Sequence, residues 1–202
     1  MDNLNSIVDF LFEAGMLAKT PRSGFYFLGS GRQSVAEHVH RVALIGYVLA
    51  MSEPQADLAK VLKMCLLHDF PEARTSDLNY VHQKYAKANV TEVLNDLVPT
   101  VPFGQDIKAT VEEFEARQSL EAKLAKDADN LEWILSLKEQ VDIGNQRAES
   151  WMPFAINRLN TDLARQIAAK ALEINSDHWW FGDGDDNEWW SYRKKRDLLR
   201  VC

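Results

Sequence analysis

Two histidine-bearing strings and one acidic string carry the chemistry this chain could do. Glu37-His38-Val39-His40 holds two of its five histidines, His68-Asp69 a third, and Asp127-Ala128-Asp129-Asn130-Leu131-Glu132 a group of carboxylates. Asp69 closes the most hydrophobic run in the sequence, Leu58 to His68, which contains Leu62, Met64, Cys65, Leu66 and Leu67. An ionised Asp in an apolar setting is costly unless it is paired or bound to a metal, and His68 beside it is a second potential ligand. Neutral imidazole together with carboxylate suits divalent ions such as Mn, Fe, Co, Ni or Zn. Adjacent helical residues diverge by ~100° around the axis, yet two of them can converge on one ion at the helix end. His38 and Asp129, from neighbouring helices, would complete a set of two His and two Asp. A plainer reading stands beside this one. A lone His on a helix is commonly a satisfied core or surface residue, and His-Asp is a dipeptide that arises by chance.

Ligands of this kind need helices to hold them, and the dominant period of the sequence is helical. Ile7, Val8, Leu11 and Phe12 give one apolar face to a segment that starts near Asn5 and stops near Gly15. The turn-rich stretch from Thr20 to Gly31 reads as a long loop. A second helix begins around Gln33 or Ser34, where Ser34 and Glu37 have the spacing of a capping box, and Val35, Val39, Val42, Ala43 and Leu49 face inward. The run from Leu58 to His68 is apolar all round and reads as a buried central helix. Pro71 follows, and the chain turns near Arg74 to Asp77. Further helices fit Val90 to Leu97, Asp106 to Val141 with a break, and Trp151 to Ile174. No internal repeat and no alternating strand stands out, so the fold class is all-α. Residues 1–176 read as one helical domain. Residues 177–202 read as a Trp-rich acidic tail, whose Trp179, Trp180, Trp189 and Trp190 cap the bundle or meet a partner subunit.

Composition narrows the classes. The 202 residues suit one domain, and 46% hydrophobic with 26% charged residues is a globular balance. The 23 Lys and Arg against 30 Asp and Glu leave a net charge of -7, which disfavours binding of a nucleic-acid polymer. Two cysteines make no disulfide framework, and a reducing cytoplasm is the expected setting. The first residues lack the pattern of a signal peptide, and no apolar stretch approaches the ~20 residues of a membrane helix. A glycine-rich phosphate loop, a dinucleotide fingerprint, paired zinc cysteines and a Gly-x-Ser-x-Gly elbow are all missing from the sequence.

The ordered strings Ser34-Val35-Ala36-Glu37-His38, Leu66-Leu67-His68-Asp69-Phe70-Pro71-Glu72-Ala73 with Asp77 behind, Lys84-Tyr85-Ala86 and Ala128-Asp129-Asn130-Leu131-Glu132 resemble the HD-domain metal-dependent phosphohydrolases. The likeness is greatest to their 5'-deoxynucleotidase branch and runs from about Phe10 to Ile174. It implies a helical bundle around one divalent transition metal per chain (Mn, Co, Fe, Ni or Zn), with His38, His68, Asp69 and Asp129 as ligands. It further implies that Glu72 and Asp77 act on water and leaving group, that Arg22 contacts phosphate, and that Lys84 lies near the pocket. The implied reaction is hydrolysis of a (deoxy)nucleoside 5'-monophosphate to nucleoside and phosphate, in a homodimer. Hydrolysis of polyphosphate or cyclic nucleotides, or a non-catalytic metal- or nucleotide-binding module, are the alternatives. Two departures are visible: Phe25 follows Arg22 where the family often has Trp, and the double-Trp tail has no family counterpart.

Residue physics fits these roles. Glu72 lies four residues after His68 and shares its face on a continued helix, unless Pro71 bends the chain. A metal lowers the pKa of water and polarises a phosphoryl oxygen, Glu72 would accept or relay the proton, and Asp77 would orient the water or protonate the leaving ribose oxygen. Arg22 would clamp phosphate bidentately. The plainer roles are a surface carboxylate for Glu72, a turn or N-cap for Asp77 and a solvated charge for Arg22. His40 falls off the His38 face, Asp127 points away from Asp129, and Glu132 is expected on the helix surface beside a cation. Arg32 and Arg41 flank the site helix as solvated charges or as a source of positive potential. Phe25 or Tyr85 stacks on a base or, more plainly, packs in the core.

Overall fold

The structure, a computed structural model, describes residues 2–181. Its helices are α1 (Asp2–Ala14), α2 (Phe25–Leu28), α3 (Val35–Met51), α4 (Leu58–Leu67), α5 (Glu72–Thr75), α6 (Val90–Leu97), α7 (Gly104–Ala116), α8 (Leu120–Asp142), α9 (Gln146–Ile156), α10 (Asp162–Glu173) and α11 (His178–Phe181), with 3-10 turns at Gly15–Ala18 and His82–Lys84. Among the described residues the β pairing is one isolated bridge, Pro21 to Ser34. The fold is all-α, as the periodicity implied.

Side-chain caps fix where most of these helices begin. Ser34 and Glu37 form the full capping box of α3. Asp57, Asn89, Ser119, Asn145 and Thr161 accept backbone N–H bonds at the starts of α4, α6, α8, α9 and α10. Each such cap is worth about 1 kcal/mol. The segment expected from Asp106 to Val141 divides at Arg117, whose left-handed backbone (φ 54°) ends α7 before Ser119 opens α8. The segment expected from Trp151 to Ile174 starts earlier, at Gln146, and is two helices. The cause of that division is Asp127. It is fully buried on α8 and accepts bonds from the backbone N–H and side chain of both Asn160 and Thr161. The expected loop from Thr20 to Gly31 contains the single turn α2.

Helix α8 is the axle of the domain and packs against α3, α4, α7, α9 and α10. Its Leu124, Ala125, Ala128, Leu131, Ile134 and Leu137 are buried in the main core with Val42 and Leu49 of α3 and Val61, Met64 and Cys65 of α4. A second cluster, including Val35, Val39, Phe70, Leu94, Leu97 and Val111, ties the start of α3 to α6 and α7. Helices α3 and α4 approach closely at Gly46, where a Cβ would lie 2.5 Å from Cys65 Sγ. Helix α4 is less enclosed than its sequence suggests, because Leu66 is 53% exposed. Of the tryptophans near the C-terminus, Trp179 and Trp180 are exposed, and Trp189 and Trp190 lie outside the described residues.

Candidate metal centre and its cavity

His38 sits in the second turn of α3, which the capping box anchors, and its ring is completely buried. Its Nδ1 lies 2.6 Å from Glu132 Oε2. An ionised carboxylate only accepts, so Nδ1 carries a proton, and Nε2 is the nitrogen that can offer a lone pair to a cation in exchange for its own proton. That Nε2 has no hydrogen-bond partner. His68 caps the end of α4; its Nδ1 faces the Cys65 carbonyl at 3.0 Å, and its buried Nε2 is likewise without a partner. Asp69 lies just past the helix end, with Oδ2 at 3.4 Å from His38 Nε2 and 3.3 Å from His68 Nε2. One ligand atom each from His38, His68 and Asp69 lie within 4.8 Å of one another. Asp129 comes from α8, with Oδ1 3.3 Å from His38 Nε2 and Oδ2 held by Lys126 Nζ at 2.7 Å.

This donor set fits a divalent cation. Buried polar atoms are almost always bonded, yet the two Nε2 atoms and Asp69 Oδ2 are buried without hydrogen-bond partners and converge. Mixed imidazole and carboxylate is also the chemistry that borderline divalent ions prefer. The charges have already adjusted to one another. Burial works against ionised Asp69 and Asp129, but cationic neighbours overcome it, and both carboxyls stay below their usual range. His68, His38 and Arg22 do this for Asp69, and Lys126 with the two histidines does it for Asp129. For His38, burial and Arg22 oppose a positive charge, but Asp129 and Glu132 push its pKa to about 9.

Glu132 belongs to this assembly rather than to the helix surface. It is fully buried, and its Oε1 accepts from Gln33, from Arg41 through two nitrogens, and from Ser136. Its expected cation is therefore Arg41, which also reaches Glu139. Burial alone would raise Glu132, but His38, Arg41 and Gln33 hold it at about 2. Sequence reasoning missed this because charged residues are rarely buried without a partner, and the partner lies on α3. The available signal was its position one turn after Asp129.

A cavity of about 620 Å³ opens beside these ligands. Arg22, Asp69, Glu72, Asp77 and Asp129 all line it. Arg22 is fixed by its N–H to the Gln33 carbonyl at 2.8 Å and lies 3.6 Å from Asp69 and 3.8 Å from Asp77. Burial opposes its charge, but Asp69, Asp129, Asp77 and Glu72 hold its pKa above the ordinary value. Asp77 Oδ2 accepts the Ser23 N–H at 2.9 Å. Ser76 before it has φ 61°, a conformation costly for a residue with a side chain. Glu72 opens α5 instead of continuing α4, because the chain turns at Pro71; its buried Oε2 has no hydrogen-bond partner. Burial, Asp69 and Asp77 push its pKa to about 9.

Other expected residues lie elsewhere. Lys84 is exposed on the 3-10 turn whose Gln83 lines the cavity, so it stands beside the lining rather than in it; the cations of the lining are Arg22, Arg117, Lys126 and Arg158. His40 and Arg32 are exposed, as is Tyr85 at 87%. Phe25 is buried edge-on against Trp133.

The family described as HD domain matches residues 14–171. A Danio rerio protein named 5'-deoxynucleotidase HDDC2 is 27% identical over 154 residues, covering 71% of this chain and 72% of its own. The Dictyostelium discoideum protein of that name is 29% identical over 151 residues, covering 67% and 78%. A conserved hypothetical protein from Pyrococcus furiosus shares the fold at a TM-score of 0.71 and 29% identity, covering 83% of this chain and 99% of its own.

Proposed function

The chain belongs to the HD-domain family, and from that premise we propose that it is a metal-dependent phosphomonoesterase that hydrolyses (deoxy)nucleoside 5'-monophosphates to nucleoside and phosphate. One observation carries the reading: three buried, unbonded ligand atoms of His38, His68 and Asp69 converge at a cavity shared with Arg22 and Glu72. The name 5'-deoxynucleotidase borne by similar proteins supports the choice of substrate.

In this reading His38, His68, Asp69 and Asp129 hold one divalent cation, drawn from Mn, Co, Fe, Ni or Zn. Such a cation supplies Lewis acidity at a phosphoryl oxygen and lowers the pKa of water. Arg22, kept charged by its ring of carboxylates, grips phosphate oxygens with its planar fork. Glu72 takes the proton from the attacking water; Arg22 and His38 oppose the burial and the two aspartates that raise its pKa, and a cation held by the ligands would lower it further. Asp77, held by Ser23, orients the water or returns a proton to the leaving ribose oxygen. Lys84 has no part in this scheme.

Among the described residues no helix is long and apolar enough to cross a membrane. We place the enzyme in the cytoplasm as a homodimer, whose contact would use Leu44, Tyr47, Val48 and Met51, an exposed apolar stripe on α3. Residues 1–176 would form the catalytic domain, with 177–202 as an appended tail.

The test is phosphate release from a panel of 5'-monophosphates by the full chain loaded with Mn, Co or Zn, with metal content measured alongside. Metal-loaded protein that releases no phosphate from any of them refutes the proposal. Glu72→Ala separates enzyme from sensor: metal content persists while turnover collapses.

A further inference from the structure

The cavity beside the ligand cluster has two ends, and α8 sets both. Lys126, Asp129, Asn130 and Trp133 follow i, i+3, i+4, i+7 spacing, share one face of the helix and all line the cavity. Along the axis from Asp129, Lys126 lies about 4.5 Å toward the N-terminus and Trp133 about 6 Å toward the C-terminus. Cations at the first end are already engaged. Lys126 is bonded to Asp129 and lies over the Phe114 ring, and Arg117 is paired with Glu115. Of the other lining cations, Arg158 meets the Tyr80 hydroxyl and ring, and Arg22 faces Asp69 and Asp77.

The other end is aromatic. Trp151 and Phe27 join Trp133 in the lining, and the two indoles lie 6.5 Å apart with planes 37° from parallel. Trp133 is held in place: Phe25 meets it edge-on at 5.3 Å, and Gly24 lies so near that a Cβ there would come within 3.2 Å of the ring. Phe27 is 43% exposed. A monophosphate gripped by Arg22 beside Asp129 can turn its sugar along α8, and the planar base then reaches this wall. Aromatic faces stack on any nucleobase, so the wall needs no particular hydrogen-bond pattern.

We propose that Trp133, with Trp151 and Phe27, is the surface on which the substrate's base stacks, and that this contact separates nucleotides from other 5-phosphorylated sugars. The inference rests on the nucleotidase reading. Its test compares 2'-deoxyadenosine 5'-monophosphate with 2-deoxyribose 5-phosphate, which lacks a base, on the metal-loaded full chain. In Trp133→Ala the ratio of the two kcat/KM values falls about five- to a hundred-fold, the range for one base on one ring, and Trp133→Phe restores most of it. Phe27→Ala, at an exposed position that tolerates truncation, lowers the same ratio and keeps the test available if Trp133→Ala fails to fold. Ratios within twofold of wild type in these variants overturn the proposal. A second arm needs binding alone. The nucleotide quenches tryptophan fluorescence more than the base-free sugar phosphate does, and Trp133→Phe reduces the difference to what Trp151 alone gives; equal quenching by the two in the wild type overturns the proposal. A wild-type enzyme that hydrolyses no monophosphate refutes the nucleotidase reading, and the quenching arm still decides whether the indole meets a base.

Discussion

Glu132→Gln is the sharpest probe of how His38 is made a ligand. The substitution keeps the shape of a fully buried side chain and removes its charge. Four donor contacts, from Gln33 at 2.6 Å, Arg41 at 2.7 and 3.0 Å and Ser136 at 3.1 Å, converge on Oε1, whereas Oε2 faces His38 Nδ1 alone. The amide oxygen must therefore take the Oε1 place, and the amide NH2 then faces His38. Two donors cannot share that contact, so the imidazole proton moves from Nδ1 to Nε2 and the lone pair aimed at the cation is lost. Losing the group that orients a metal-binding His costs about 10- to 100-fold in affinity. Stability changes as well. A glutamate held at about 2 instead of 4.5 stabilises the fold by on the order of 3 kcal/mol. Because the folded value is the lower one, that stability is complete above about pH 4.5 and is lost as pH falls toward 2. Asp129 and Glu132 together raise the pKa of His38, and the share owed to Glu132 is the other side of this pairing and is not counted again. The assays are metal competition against a chelator at neutral pH, and denaturant melts of the metal-free protein from pH 7 down to pH 3. A variant that binds metal as tightly as wild type, with an unchanged acid limb, refutes the reasoning.

Three further outcomes follow from the geometry. Arg22→Lys keeps the charge but loses the fork, and kcat/KM for a 5'-monophosphate falls about 10- to 100-fold, the value of a charged hydrogen bond, as initial rates will show. Gly46→Ala drives a methyl into Cys65 and destabilises by about 1–3 kcal/mol in thermal or urea melts; adding Cys65→Ala in the same chain recovers part of the loss. Asp127→Ala removes the four bonds that cap the turn before α10 and costs about 2–4 kcal/mol in the same melts. Its metal affinity stays within a few-fold of wild type, although Asp129 is only two residues away.

How much of this was legible in the chain depended on the range of the interaction. Local signals read well: Ser34 with Glu37 marks the start of α3, and α6 spans Val90 to Leu97 as its periodicity implies. The turn at Arg117 was not legible, because an arginine carries no cue for a left-handed backbone. The division between α9 and α10 was missed because its cause, Asp127, lies more than thirty residues away in sequence. Motif spacing named His38, His68, Asp69 and Asp129, and these side chains lie near one another. The surface reading of Glu132 failed because His38, Arg41, Gln33 and Ser136, all distant in sequence or a turn away, are what make its burial tolerable; Lys84, which the family resemblance puts near the pocket, is exposed beside the lining residue Gln83. Nothing in the sequence singles out Trp133; the face of α8 that it shares with Asp129 is what puts it on the cavity wall.

Because α8 bears Lys126, Asp129, Glu132 and Trp133 on a single unbroken rod, it works as a ruler. Adding or deleting one residue between Ala125 and Ile134 would rotate everything beyond that point by about 100° and slide it by about 1.5 Å. Cation, histidine orientation and aromatic wall would lose their mutual registration in one step. Length variation among related chains should therefore collect in the connections on either side of α8 and spare its middle turns.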